Sequence, residues 1–274
     1  MISSNVIKNT LFFDIETTTR YRTWEEYLEK EPNSAKDFET QILMKREWDG
    51  VPIDKIYPEK GMLSPEHGQI VSICSRIWDA KEKKWDDRIF GFSSWEEYES
   101  IEDKKKADRD IIIPFNEYLN ELFGDERGSL GGYNINKFDI PYLYRRLLAT
   151  GLYPQTSLVS VGLKPWTVGH LELMDWWNGT GAGGWSGFSS ACEMMNIGSS
   201  KEEGVDGRHV CNLFWDDRDV NVINEYCMRD VIKSAQFAIS LSDEKLKKNH
   251  EVVLAEYIQR IEQKEKETED EIGE

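Results

Sequence analysis

The sequence predicts an α/β chain in which helices cover a mixed β-sheet. A short apolar run ending in acids, Thr10–Glu16 (TLFFDIE), reads as a buried strand whose end meets solvent. Two runs of alternating apolar and polar residues, Gln69–Trp78 and Asp87–Phe92, are separated by the polar break Asp79–Lys84 and predict an antiparallel hairpin. Further strand candidates at Leu130–Tyr133 and Leu171–Asp175 alternate with stretches of helical period. Antiparallel and crossover connections in one chain require a mixed sheet.

The elements follow in order. After the first strand, residues 20–66 are polar, with helix-like stretches at Trp24–Lys30 and Asp37–Glu47 and then a connection punctuated by Pro and Gly. This segment reads as an insertion before the second strand. After the hairpin and the charged stretch Ile101–Arg109, Ile112–Phe123 carries apolar residues at helical spacing and stops before Gly124. Asp139–Leu148 opens with an acid and a proline in its first turn, as helix entry favours. Asn178–Gly187 (NGTGAGGWSG) reads as a loop. Phe188–Met195 and Asp219–Leu241 read as helices, and Ser242 to about Lys266 as a further, highly charged helix. The expected organisation is one domain over residues 1–242, followed by a charged helix and acidic tail over 243–274.

Composition narrows the class. The chain has 274 residues, and a hydrophobic content of 39% with ten Trp, eleven Tyr and eleven Phe is ample for a core. No run approaches the roughly 18 apolar residues of a membrane span. The start, MISSNVIKNTLFF, lacks a basic region followed by a long apolar run, so no signal peptide is expected. Cys74, Cys192, Cys211 and Cys227 form no CxxC pair, and the four His form no HExxH. These patterns argue against zinc and for reduced thiols in the cytoplasm, of a prokaryotic cell or of the host of a virus. The net charge of −17 argues against an extended nucleic-acid interface, because phosphate neutralisation supplies much of such affinity. An enzyme gripping a few nucleotides at one end needs only a small footprint, and bound cations invert the local field. Much of the acid also lies in peripheral segments such as Trp95-Glu96-Glu97 and the tail from Glu262.

Three segments can carry chemistry. Asp14 and Glu16 lie two apart on a strand and so share one side. Their carboxylates are either a solvated strand end or the oxygen ligands of a hard cation such as Mg²⁺ or Mn²⁺. In GGYNINKFDIPYL, a strand end passes to a helix start and brings Asp139 to the sheet edge, where it either caps the helix or joins the acids. In EYCMRDV, Tyr226 and Asp230 lie four apart on one helix face. By themselves these two also fit a packed tyrosine beside a surface acid.

Together, FDIET, YNINKFDIPYL and EYCMRDV resemble, in order, the three exonuclease motifs of the DEDD superfamily, and the tyrosine in the third resembles the DEDDy branch. The chain is similar to stand-alone 3′→5′ exonucleases related to the proofreading domain of family-B DNA polymerases. The likeness runs from Thr10 to about Leu241, with weaker matches at HGQIVSICSRIW, HLELMDWW and SACEMMNIGSSKEEGVDGRHV. The resemblance implies an RNase H-like fold and a metal-dependent hydrolase that releases nucleoside 5′-monophosphates from the 3′ end of single-stranded DNA. It implies that Asp14, Glu16 and Asp230 bind one Mg²⁺, that Asp139 helps hold a second, and that Mn²⁺ can substitute. Two ions about 4 Å apart stabilise the attacking and leaving oxygens of an in-line displacement. Tyr226 would position the attacking water, since a phenol of pKa about 10 is a poor base at neutral pH.

Expected substrate contacts are Thr17, Asn134, Lys137 and, in the loop after a helix, Lys201. Lys137 stands where the polymerase version of the motif commonly has Asn, and a solvated loop lysine is its plainer reading. A DNA polymerase or other replication protein is the implied partner, in DNA replication or proofreading. Two alternatives remain at this level: an RNA-processing exonuclease of the same class, and a nuclease-like module that binds a polymerase without cutting. GTGAGG lacks the Lys-Ser/Thr of a P-loop. His170 and His209 read as ordinary polar residues, and Trp176 and Trp177 as core-packing or partner-contact residues rather than base-stacking ones.

Overall fold

A computed structural model describes residues 1–163, 167, 169–179, 186–198 and 207–272, with side chains set aside at 46, 257 and 260–272. The chain opens with a short helix, α1 (Ser4–Lys8), held by the Ser3 hydroxyl on the Val6 N–H, and passes into β1 (Thr10–Thr19). Five residues are too few to display a period, so the sequence does not announce α1.

β1 is the central strand. The sheet order is β3-β2-β1-β4-β5, with β2 at Gly68–Asp79, β3 at Lys84–Gly91, β4 at Ser129–Gly132 and β5 at Leu171–Glu172. β1 pairs antiparallel with β2 and β2 with β3, whereas β1–β4 and β4–β5 are parallel. The mixed sheet and the hairpin expected from the sequence are both present. The β1–β2 register shifts between Glu16 and Thr17, a bulge beside the candidate acids that re-aims the end of the strand.

Between β1 and β2 lie α2 (Trp24–Lys30), α3 (Pro32–Leu43) and α4 (Ile53–Lys60), then a 3₁₀ turn at Gly61–Leu63. They gather around a core of their own that includes Trp24, Tyr27, Phe38 and Tyr57. Two sequence expectations are corrected here. α3 starts at Pro32, with proline in the first turn, rather than at Asp37. The connection punctuated by Pro and Gly contains α4, whose internal Pro58 forfeits one backbone bond while Ile56 and Tyr57 are buried.

After β3 come α5 (Trp95–Glu99) and α6 (Arg109–Phe123), and α7 (Asp139–Ala149) follows β4. The strand expected at Leu171–Asp175 is only two residues long. The Glu172 carboxylate accepts the Met174 N–H at 3.1 Å and turns the chain into α8 (Leu173–Asn178). Next are α9 (Phe188–Met194), α10 (Val210–Asn212) running into a π-helical turn at Leu213–Asp217, α11 (Val220–Ser240) and α12 (Asp243–Ile272). The loop expected at Asn178–Gly187 lies largely outside the described residues.

Strand alternation decides what each face of β1 meets. Leu11, Phe13 and Ile15 enter the core built with α6, where Phe13 stacks on Phe115 with ring centroids 5.6 Å apart. Phe12 points the other way, into the cluster containing Cys227, Val231 and Ala235 of α11. Asp14 and Glu16 share that second side. The fold thus aims a pair of acids at α11. Among the described residues no helix is long and apolar enough to cross a membrane.

Candidate active site

Asp14, Glu16, Asp139, Tyr226 and Asp230 line one cavity of about 450 Å³, together with Asn134, Phe138, Phe188 and Ser234. Three separate backbone features deliver them. β1 carries Asp14 and Glu16, the entry to α7 carries Asp139, and α11 presents Tyr226 and Asp230 one turn apart. Glu16, Asp139 and Tyr226 are 7%, 2% and 5% exposed, so these polar groups are held within the protein.

Asp139 does not cap its own helix. Phe138 occupies the cap position, and Asp139 Oδ1 accepts the Ile15 N–H at 3.1 Å. This bond crosses from α7 to the middle of β1 and fixes the distance between the first and second acidic segments. Behind it, Glu172 accepts the N–H groups of Asn134 (2.6 Å) and Asn136 (3.0 Å). Asn134 needs that support because it sits at φ +68°, in the left-handed region. Asn134 lines the cavity, and its Oδ1 is buried with no hydrogen-bond partner among the described residues.

The electrostatics are those of acids buried close together. Burial, then the neighbouring carboxylates Asp139, Glu16 and Asp230, push Asp14 well above the ordinary carboxylate range. Burial, followed by Asp230 and Asp139, does the same to Glu16. Burial raises Asp139 to about 7, against the lowering effect of the Ile15 N–H. Burial and the nearby carboxylates drive the Tyr226 phenol far upward, and its hydrogen bond to Asp230 adds to this. Tyr226 is therefore a hydrogen-bonding phenol and not a base at neutral pH.

Cys227 was missed as a site residue in the sequence, although it lies inside the third motif. Its Sγ donates to the Asp14 carbonyl at 3.4 Å, and one ligand atom each from Asp14, Glu16 and Cys227 lie within 4.8 Å of one another. Burial raises its thiol pKa, so it stands under Asp14 as a neutral donor. Glu172 was missed as well; it lies in HLELMDWW, but a residue that organises a turn carries no spacing signal. Thr17 is buried and borders an adjoining cavity, whereas Lys137 is exposed and lines neither. Lys201 lies outside the described residues. All four cysteines are free and buried. His170 is an ordinary polar residue: it accepts the Leu130 N–H at Nδ1, its Nε2 lies 2.9 Å from the Ser157 carbonyl, and burial lowers its pKa to about 4.

Residues 69–270 match the model of a family described as a predicted 3′-5′ exonuclease related to the exonuclease domain of PolB. The chain belongs to this family. The five-stranded mixed sheet with flanking helices is accordingly that of an RNase H-like exonuclease domain. No curated protein and no solved structure matches. The family match covers Asp139, Tyr226 and Asp230 but begins after β1, so geometry alone brings Asp14 and Glu16 to the same cavity. Membership makes the chain a nuclease-type hydrolase with nucleic acid as substrate. The donor set suits the divalent cations such families use, because buried carboxylates that raise one another's pKa are relieved by a hard cation.

Proposed function

We propose that this protein is a 3′→5′ exodeoxyribonuclease that removes nucleoside 5′-monophosphates from single-stranded DNA ends. The observation that carries the reading is the gathering of Asp14, Glu16, Asp139, Tyr226 and Asp230, from distant parts of the chain, at one cavity. Asp14, Glu16 and Asp230 would hold one Mg²⁺ and Asp139 would help hold a second, with Mn²⁺ as substitute. When bound, such a pair supplies Lewis-acid stabilisation of both oxygens in an in-line displacement at phosphorus.

The chain's own groups do the positioning. Tyr226, protonated and bonded to Asp230, is placed to orient the attacking water. Ile15 N–H holds Asp139 toward β1, and Glu172 holds the turn bearing Asn134. Asn134 Oδ1 is an acceptor available to the departing nucleotide. The cavity takes an extended strand, so a paired end must fray before it enters. Residues 1–242 would form the catalytic domain with 20–66 inserted, and 243–274 an appended helix and acidic tail. A DNA polymerase or replication protein acting in the cytoplasm is the proposed partner.

The test is an end-labelled oligonucleotide ladder with Mg²⁺, with Mn²⁺ and with EDTA, run on matched DNA and RNA. Stepwise shortening from the 3′ end of DNA, silenced by EDTA, is expected. Persistence in EDTA would remove the metal mechanism, and equal or faster cleavage of RNA would replace the substrate.

A further inference from the structure

A second cavity, of about 520 Å³, adjoins the catalytic one, and Ile15, Glu16, Phe138 and Gly207 line both. Its far wall is made by Lys60, Met62 and Leu63, from the end of α4 and the 3₁₀ turn that follows. These residues lie in the segment between β1 and β2, outside the stretch that matches the exonuclease family.

The wall is fixed in place. A Cβ at Gly61 would meet Tyr57 at 3.0 Å and the Thr19 methyl at 3.1 Å, so the turn lies close against β1 and a larger residue there would press on both side chains. The Ser64 carbonyl then accepts the Gly68 N–H at 2.7 Å and ties the turn to the start of β2. On this rigid wall Leu63 is 48% exposed, an apolar side chain presented beside a group of acids. Lys60 holds its ammonium over the Trp48 ring, 4.9 Å from the centroid, and among the described residues it enters no ion pair. In a chain of net charge −17, a lysine in the lining of this cavity favours an anionic ligand. Glu59, exposed on the same rim, opposes it in part.

We infer that this cavity is a subsite for one unpaired nucleotide flanking the scissile phosphate, with its base against Leu63, Met62 and Phe138 and its phosphate near Lys60. The inference rests on the exonuclease reading of the adjoining cavity and assigns the 20–66 segment a nucleic-acid-binding role. A volume within the roughly 300–1,000 Å³ of small-molecule pockets suits a single nucleotide and not a base pair with its backbones.

The test measures binding of the full-length protein to 5′-fluorescein oligothymidylate by anisotropy, with Ca²⁺ in place of Mg²⁺. Leu63→Asp and Lys60→Gln should each raise Kd by about tenfold, the scale of losing one base or phosphate contact. Their melting temperatures and the stabilisation that Mn²⁺ gives should match those of the wild type. Kd within twofold of wild type in both variants would overturn the subsite, even where the wild type shortens DNA normally. Weakened binding in both, with a wild type that cuts no substrate, would retain the subsite and remove the exonuclease reading instead.

Discussion

Two sets of buried acids sit within this protein, and they are solved differently. Where the 20–66 segment meets the sheet, each buried acid faces an arginine. Glu31 takes both oxygens to Arg20 at 2.8–2.9 Å, and Asp108 takes both to Arg146 at 2.7 Å, with all four side chains 7% exposed or less. In the cavity beside the middle of β1, Asp14, Glu16 and Asp139 face one another. The arginine pairs join elements: Arg146 also reaches the carbonyls of Pro65 and Lys105, and Arg20 that of Glu66. A charge already neutralised by the chain holds the fold together. A group of acids that raise one another's pKa suits the divalent cations that exonuclease families use.

Breaking one member of each set should therefore have opposite consequences. Asp14→Asn or Asp230→Asn should lower the cleavage rate by roughly 10³-fold or more, the scale seen when one member of a cooperating catalytic set is removed. Asp14→Asn should leave the melting temperature in EDTA unchanged or raised, because a repelling acid is gone, while the stabilisation by Mn²⁺ is lost. Near-normal turnover would dissolve the distinction between the two sets. Arg146→Ala should instead cost about 3–5 kcal/mol in urea unfolding, since it strands Asp108 without a partner. A loss below about 1 kcal/mol would mean that the buried pair holds nothing together.

Proton linkage sharpens the same contrast. In the unfolded chain the site carboxyls titrate near pH 4. In the folded, metal-free protein Asp139 titrates at about 7, and Asp14 and Glu16 are raised well above the ordinary range. Between these limits the folded state binds more protons, so its stability is present at low pH and falls as pH rises from about 4 to 7. Melting in EDTA should thus drop between about pH 5 and pH 8, and Mg²⁺ should restore most of it at the higher value. The drop should shrink in Asp139→Asn. A drop of the same size in that variant would place the titrating group elsewhere.

What the sequence disclosed follows from the range of the interactions involved. Asp14 with Glu16, and Tyr226 with Asp230, are legible because strand and helix periods put each pair on one face. The hairpin is legible because β2 and β3 alternate on either side of a polar break. The bond from Ile15 N–H to Asp139 spans 124 positions, and no local pattern encodes it. Glu172 was passed over because its role is to satisfy backbone donors of a turn about 38 residues away. α4 was hidden by prolines that read as punctuation, although Ile53, Ile56 and Tyr57 stand at helical spacing. Lys137 has the charge and motif place of a substrate contact, but its exposure agrees with the plainer reading, a solvated loop lysine.

Smaller effects separate direct from supporting roles within the acid cavity. Tyr226→Phe keeps the ring and removes the hydroxyl that bonds Asp230. It should slow cleavage by about tenfold to a hundredfold, within or below the range of acid–base and positioning groups, with Mn²⁺ stabilisation retained. An unchanged rate would take Tyr226 out of the reaction.

The smallest change is expected at Glu172, which touches no proposed metal ligand directly. Its carboxylate accepts three N–H groups, those of Asn134, Asn136 and Met174. Glu172→Gln replaces one acceptor oxygen with a donor, leaving a buried N–H to face another donor at a cost of about 1–3 kcal/mol. That cost falls on the turn that holds Asn134 at positive φ and leads to Asp139. Cleavage should weaken only severalfold, with urea stability reduced. Because the Glu172 charge helps to raise Asp139, the drop in metal-free melting should also move to lower pH. A drop that stays in place would mean that Glu172 acts only through the N–H groups it holds.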